Sequence, residues 1–489
     1  MFPLILFWLL AVYCFFRGSF SLLYLLAASI PFGSFAAISP VLTGGLTFTP
    51  APIAGALLII RVFCERGFLD FLRRNAFDPR SLGLVTFFWL TACVVTFFAP
   101  RLFSGVSVMA VKLLLRVAVP LQPTTQNVSQ MAYLTISCVS VFAAAYLFTK
   151  PGGLTVWVRS MVIGGAVIIV TGLLDVAGQW VNLHWLLDPF RTATYSLLVD
   201  NEVLGAKRIV GLMPEASAFG GVSLGAAVSL HFMGRVLPAG RMRFLWAPLV
   251  VTGLLAFAVL STSSAAYVGL GVFAGMAVLD WASRFVSGPR EIAARQQLLI
   301  ETAVALVAVL GAAVFVMADV DRLRPVFEMV DTMVFKKTAS SSFVERSMWS
   351  EISWNALLET HGFGVGIGST RASNVVVAVL SNTGFLGGAL LYGFCLQKLF
   401  SPTLRDNPAA AAVQRGAKWA YPIGFTVGCL VGTSPDFGVN GAFMLAAMSL
   451  STLNTTALTL GKQSLPRPTR RFGKANSQFA RASSRAQIS

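Results

Sequence analysis

Apolar runs close to the length that a helix needs to cross bilayer hydrocarbon recur along this chain, and they constrain its fold more than any other feature. A helix satisfies its backbone polar groups internally, which is the condition for residing in lipid. The runs fall at about 2–16, 19–39, 50–64, 81–99, 129–149, 158–178, 218–236, 244–261, 264–281, 297–318, 375–399, 419–434 and 437–460. Composition agrees, because 56% hydrophobic residues, 12% charged residues and a mean hydropathy of +0.75 lie outside the balance of a soluble domain. The expected fold is all-α, a polytopic transmembrane helix bundle of about 12–13 spans with two larger external loops. The bundle is expected to take residues 1–460, and a basic tail residues 461–489.

Residues 104–121 are apolar enough to span but carry Lys112 and Arg116 one helical turn apart, near the centre of the run. Two central cations predict a helix lying in the interface. With that segment outside the membrane, Arg66, Arg73, Arg74 and Arg80 share a side with Lys150, Arg159, Arg235, Arg241, Arg243, Arg284, Lys398 and Arg415. By the positive-inside rule that side is cytoplasmic. The tail, with Lys462, Arg467, Arg470, Arg471, Lys474, Arg481 and Arg485 and no acid, follows on the same side in a Ser/Ala/Gln context that builds no core. Anionic membrane lipids are its expected partner, alongside its role as a topology anchor; no motif that reads RNA or DNA accompanies the charge.

Residues 179–217 and 319–374 fall on the external side, and both mix aromatic, acidic and basic residues as a loop folding over a membrane opening does. Within the second, Met348, Trp349, Ile352 and Ala356 recur at helical spacing, which predicts a short amphipathic helix along the membrane surface. Arg346 stands at the edge of that stripe.

Two stretches of these loops carry the chemistry. Residues 207–221, KRIVGLMPEASAFGG, set Lys207, Arg208 and Glu215 where a polar loop meets an apolar run. Ionisable groups are costly at a membrane boundary, so they mark a functional site or act as snorkelling anchors. In HGFGVGIGSTRASN the alternating Gly364, Gly366 and Gly368 precede Arg371 and Asn374. Such glycines allow positive φ, either to converge N–H groups on an anion such as phosphate or simply to pack closely. The stretch lacks the GK[ST] ending of a Walker A loop and the βαβ context of a dinucleotide fingerprint.

The six cysteines are isolated and form no CxxC or Cys/His spacing, and the three histidines are scattered, so no metal site is expected. Charge is scarce at mid-span, which argues against ion-coupled transport and against a lipid-linked oligosaccharide flippase with a polar central cavity. A structural partner in an envelope complex is a further alternative. No ATP-binding motif occurs, so a reaction here would draw its energy from the substrate.

Three stretches together resemble the O-antigen polymerase and O-antigen ligase superfamily, integral membrane glycosyltransferases of bacterial envelopes. They are R-x-x-G-x-x-x-E-x-S at Arg208, Gly211, Glu215 and Ser217; the STSS turn at 261–264; and Arg346 to Trp349 followed by Gly364 to Ser369 and Asn374 to Gly384. The resemblance covers about residues 80–460 in order and span pattern. It implies a metal-independent, cofactor-free glycosyltransferase of the bacterial inner membrane, with its site facing the periplasm. The donor would be an undecaprenyl diphosphate-linked glycan, and other proteins of envelope polysaccharide assembly would be partners. In that chemistry Arg208, Arg346 and Arg371 would stabilise the leaving diphosphate, with Lys207, Gly364, Gly366, Gly368 and Asn374 binding substrate. Glu215 would serve as base or orient the acceptor, or instead form a salt bridge to Arg208. Ligases of the superfamily carry a histidine just before the Asn, where this chain has Ser373. That departure favours a polymerase of exopolysaccharide or O-antigen type over a ligase that delivers glycan to a lipid A core.

Overall fold

A computed structural model describes residues 2–43, 47–112, 115–195, 197–199, 202–203, 206–288, 292–318, 331, 341–404 and 406–454. Residues Met1–Leu453 form one compact unit and Asn454–Ser489 a second. The basic tail expected from 461, and most of 319–340, lie outside the described residues.

The described chain is a helical bundle. Its helices are α1 (Phe2–Arg17), α2 (Ser19–Ser29), α3 (Pro50–Phe63), α4 (Phe68–Asn75), α5 (Gly83–Leu102), α6 (Thr125–Thr149), α7 (Gly153–Ala177) and α8 (His184–Leu187). There follow α9 (Ala216–Met233), α10 (Ala247–Leu260), α11 (Ser264–Ser287), α12 (Ile292–Ala318), α13 (Ser341–Glu359), α14 (Val375–Leu399), α15 (Pro408–Val431) and α16 (Gly438–Met448). Among the described residues, seven helices are long and apolar enough to cross a membrane by length and composition: α5, α6, α7, α9, α10, α11 and α14, the last of which is broken at Gly384. Large apolar side chains stand bare on their outward faces, such as Leu249 and Leu260 on α10 and Val278 and Leu279 on α11. That is surface made for lipid, since water would penalise so much contiguous apolar area. α6 is the centre. Its residues 140–148 are buried on every side, as expected of a helix apolar all round.

Several expected spans fall short of the length that crosses a membrane. The runs at 2–16, 19–39, 50–64 and 437–460 yield apolar helices of only 16, 11, 14 and 11 residues. In the second, Pro31 and Gly33 follow the helix end, and proline cannot continue the hydrogen-bond ladder. Residues 104–121 are not an interfacial helix. They form an antiparallel hairpin of β1 (Ser107–Lys112) and β2 (Leu115–Pro120), paired from Ser107–Pro120 to Lys112–Leu115. Val108, Val111, Val117 and Val119 supply the β-branched character that prefers a pleated strand to a helix. The i,i+4 cations are therefore no guide to its conformation: Arg116 sits opposite Val111.

The run at 375–399 is not one straight rod. At Gly384 the backbone leaves the helical region, with φ 73° and ψ 178°. The Tyr392 hydroxyl donates to the Val375 carbonyl at 3.1 Å across 17 positions, which an unbroken helix would separate by about 25 Å. α14 therefore folds back, and its two halves pack side by side. The preceding loop clasps the vertex: Phe385 N donates to Gly362 O at 2.9 Å, Val365 N to Ser381 O at 2.8 Å and Gly366 N to Asn382 O at 3.1 Å.

At the other end of α14, buried Lys398 donates to Arg80 O at 2.7 Å and Thr452 Oγ1 at 2.9 Å, tying the start of α5 to the chain after α16. Arg235 and Arg284 likewise share Asp280, and Arg284 also pairs with Glu301, which joins α9, α11 and α12.

The fold-back makes Gly384 irreplaceable. Its φ/ψ is open only to glycine, and an added Cβ would lie 2.5 Å from Phe363 O. Gly384→Ala should cost at least about 1–3 kcal/mol and lower the midpoint of thermal unfolding in detergent. Gly393→Ala, in the same helix with open space around it, should leave the midpoint unchanged or raise it.

Candidate active site

The site is built on the loop that enters α9. Asp175, 2% exposed near the end of α7, accepts hydrogen bonds at Oδ2 from Val210 N at 2.7 Å and Gly211 N at 3.0 Å. Its Oδ1 lies 3.7 Å from Arg191 Nη2. One buried carboxylate thus fixes residues 208–211 in place, and Arg191 offsets the cost of burying it. Flanking segments pack on the loop that this anchor holds: Leu198 N donates to Pro214 O at 2.8 Å, and Ser34 N to Leu212 O at 2.9 Å. Lys207 lies in a two-stranded ribbon of β3 (Glu202–Val203) and β4 (Ala206–Lys207), opposite Glu202.

Held this way, Arg208 reaches the STSS turn between α10 and α11. Its Nε donates to Thr262 Oγ1 at 2.9 Å, and its Nη2 to Thr262 O at 3.0 Å and Ser261 O at 3.3 Å. Thr262 has a φ of 48°, a strained conformation for a β-branched residue. Among the described residues no acceptor is bound by Arg208 Nη1 or by the half-buried guanidinium of Arg346 on α13. Burial lowers the Arg208 pKa. Nearby Glu215 and Tyr267 oppose that shift, and the like charge of Arg346 adds to it. Arg208, Arg346 and Glu215 therefore share one electrostatic neighbourhood.

Glu215 is the N-cap residue of α9 in extended conformation, and its Oε1 accepts a hydrogen bond from the Ser217 hydroxyl. No ion pair joins it to Arg208 among the described residues, so Arg208 spends its donors on the Ser261–Thr262 turn and the carboxylate stays half-buried beside it. Two guanidinium groups and one carboxylate are thus near enough for their charges to act on one another, a neighbourhood that suits an anion and a proton acceptor.

Arg371 is anchored by other groups. Its Nη2 donates to Thr433 Oγ1 at 3.1 Å, and its backbone N donates to Met109 O of β1 at 3.0 Å. α13 bridges the two places. Ser350, one turn after Arg346, accepts from Ser373 N at 3.0 Å, and Ser353 donates to Arg371 O at 3.1 Å. The face of α13 that is buried carries Trp349, Ser353, Ala356 and Leu357, while Met348 is exposed. The expected amphipathic helix is present, but its stripe packs on protein, rotated from the one the spacing indicated.

The glycine loop is no anion cradle. Gly364 N donates to Thr360 Oγ1 at 3.2 Å, Gly366 N to Asn382 O at 3.1 Å, and Ile367 N to Thr96 Oγ1 at 2.9 Å. Those amides are already satisfied. Positive φ at Gly364, Gly366 and Gly368 instead lets the loop wedge between helices: a Cβ on Gly366 would lie 2.9 Å from Thr96 Cα, and one on Gly368 2.7 Å from Gln126 O. Asn374 likewise serves structure, since its Oδ1 caps α14 by accepting from Val376 N at 2.8 Å and Val377 N at 3.3 Å.

Asp175, Thr262 and Asp436 escaped the sequence analysis as site residues. The one available signal for the two acids was their place at span ends bordering the external loops. Asp436 lies before α16, where Gly438 N donates to its Oδ1 at 3.0 Å, and burial raises its carboxyl pKa against that bond and one from Ser137. Among the described residues no group of three or more His, Cys, Asp and Glu side chains is gathered as for a metal ion.

Asp175→Ala should release the loop it anchors. Loss of two charge-assisted hydrogen bonds to backbone amides predicts exchange of the Val210 and Gly211 amides faster by on the order of 10- to 100-fold, read by hydrogen–deuterium exchange. Unchanged protection of residues 208–213 would remove Asp175 from this role.

No protein-family model matches the chain, and no curated protein matches it.

Proposed function

We propose that the protein is a polymerase of lipid-linked oligosaccharide repeat units in bacterial surface polysaccharide synthesis. The observation that carries this assignment is that Arg208 is held on the Ser261–Thr262 turn while the charges of Glu215 and of Arg346, remote in the chain, act on it. The glycan leaves undecaprenyl diphosphate as the anomeric C–O bond breaks, and the departing diphosphate takes the bonding pair. The two guanidinium groups stabilise the charge that develops on it. A hydroxyl of the acceptor sugar forms the new glycosidic bond, and its proton passes to Glu215. Arg371 and Lys207 add positive charge to the space that receives the substrate, while Gly364, Gly366, Gly368 and Asn374 hold the structure behind it. The chain lies in the inner membrane with residues 179–217 and 319–374 toward the periplasm and the tail from 461 in the cytoplasm. Cysteines at 340 and 483 should accordingly react with impermeant reagents from opposite faces, and labelling from one face would reject that orientation.

Purified protein supplied only with lipid-diphosphate-linked repeats should produce a ladder of longer lipid-linked glycans, because the substrate carries its own activation. Arg208→Ala and Arg346→Ala should each slow the reaction about 30- to 1,000-fold at normal folded levels. Glu215→Gln should abolish the ladder while donor binding persists. Product that forms only when a lipid A core is added would make the protein a ligase. Full activity of both arginine variants would reject the diphosphate site.

A further inference from the structure

A cavity of about 520 Å³ lies among α2, α7, α9, α14, α15 and α16, the volume of an ordinary ligand pocket. Its walls are almost wholly apolar, and among the described residues that line them Asp436 alone is charged. Asp436 stands half-buried in the turn before α16, where its carboxylate accepts from Gly438 N at 3.0 Å and from Ser137. A carboxylate has about four acceptor positions, so two bonds leave room for a further donor. Burial raises its pKa, because the charge has lost hydration and no arginine, lysine or histidine lines the cavity to offset the loss.

Aromatic rings stand around the same space. Tyr421 stacks on Phe425 with centroids 6.2 Å apart, Tyr392 meets Phe425 edge-on at 6.1 Å, and Trp157 lies 5.8 Å from Phe443. All five line the cavity, as does Phe437, next to Asp436 in the chain. Ring faces carry partial negative charge and attract a cation that has shed its water. An anion here would meet a carboxylate across apolar surroundings that screen repulsion poorly. A neutral hydrocarbon would fill the volume and leave the carboxylate unpaired. A cation with an apolar body satisfies both the acid and the rings. We propose that the cavity is a binding site for a lipophilic organic cation, its charge toward Asp436 and its apolar groups against the aromatic wall. Such a ligand is opposite in charge to the anion suited to Arg208 and Arg346, and its binding does not depend on polymerase activity.

Tetraphenylphosphonium and tetraphenylborate have the same shape and opposite charge, so the pair separates charge recognition from apolar partition. Equilibrium dialysis of the full-length protein in maltoside detergent, against protein-free micelles, measures the binding of each. Wild-type protein should bind the phosphonium and show no saturable binding of the borate. Asp436→Asn keeps the shape and an acceptor for Gly438 N but loses the charge, and it should weaken the phosphonium at least about tenfold. Gly225→Leu fills the cavity from α9. A Cβ there meets no atom within 4 Å, φ is not positive and leucine improves helix propensity, so the fold should survive while the phosphonium weakens by a similar factor. Gly271→Leu, with equally open space but outside the cavity wall, should bind as wild type does. Saturable borate binding of comparable strength would overturn the selection for a cation. Unchanged affinity in Asp436→Asn would remove the carboxylate from the site, and unchanged affinity in Gly225→Leu would place the phosphonium elsewhere. Either result rejects the cation site, as does a wild-type protein that binds no phosphonium saturably.

Discussion

The fold-back of α14 at Gly384 is the constraint from which the loop-rich end of the bundle is assembled. A helix that ran straight through residue 384 would carry Val375 far from Tyr392, and the loop before it would have no partner strand of backbone to clasp. Because the chain reverses, Gly362, Val365 and Gly366 pair with the vertex, and Asn382 Nδ2 reaches Thr370 O at 3.3 Å. That clasp orients residues 369–373, against which α13 and β1 dock, so Arg346 and Arg371 take their places through one turn that only glycine can make. Irregular backbone within an apolar bundle is tolerated where protein buries it and satisfies its polar groups, which here the loop itself does.

Charge is then placed at some energetic cost. Arg208 loses hydration on burial and feels the repulsion of Arg346. Its four hydrogen bonds to Ser261 and Thr262 and the nearby carboxylate of Glu215 offset that cost without neutralising the site. The guanidinium consequently has two duties, holding a strained turn and presenting an unfilled donor edge. Asp175 works one layer further out. It grips the backbone of the same loop from α7, so the position of Arg208 depends on a carboxylate that never faces the site directly. Preorganisation of this kind lets donors meet developing charge without rearranging.

Much of the helical architecture was legible from local pattern. Apolar runs at 81–99, 129–149 and 158–178 report their own conformation, because a helix closes its hydrogen bonds within the segment, and the helices Gly83–Leu102, Thr125–Thr149 and Gly153–Ala177 form there. The spacing of Arg208, Glu215 and Ser217 and the STSS stretch at 261–264 were equally visible in the one-dimensional string, but the bonds of Arg208 to that turn were not. The hairpin at 107–120 was not, because the same residues place two cations one helical turn apart and also satisfy a pleated pairing, and only the partner strand and the docked Thr370–Arg371 segment choose between these.

The sequence by itself determined that the chain is a bundle of apolar helices, since this follows from side-chain identity and short-range spacing, and it supplied the candidates for chemistry at the loop-rich end. Tertiary structure decided what those residues do. It turned Asn374 into a helix cap and the alternating glycines into a packing wedge, and it moved Asp175 from a span end to the anchor of the Arg208 loop. It also bent the run at 375–399 back on itself. Each of these outcomes depends on which distant group satisfies a given N–H or carboxylate, and a linear pattern holds no record of that choice.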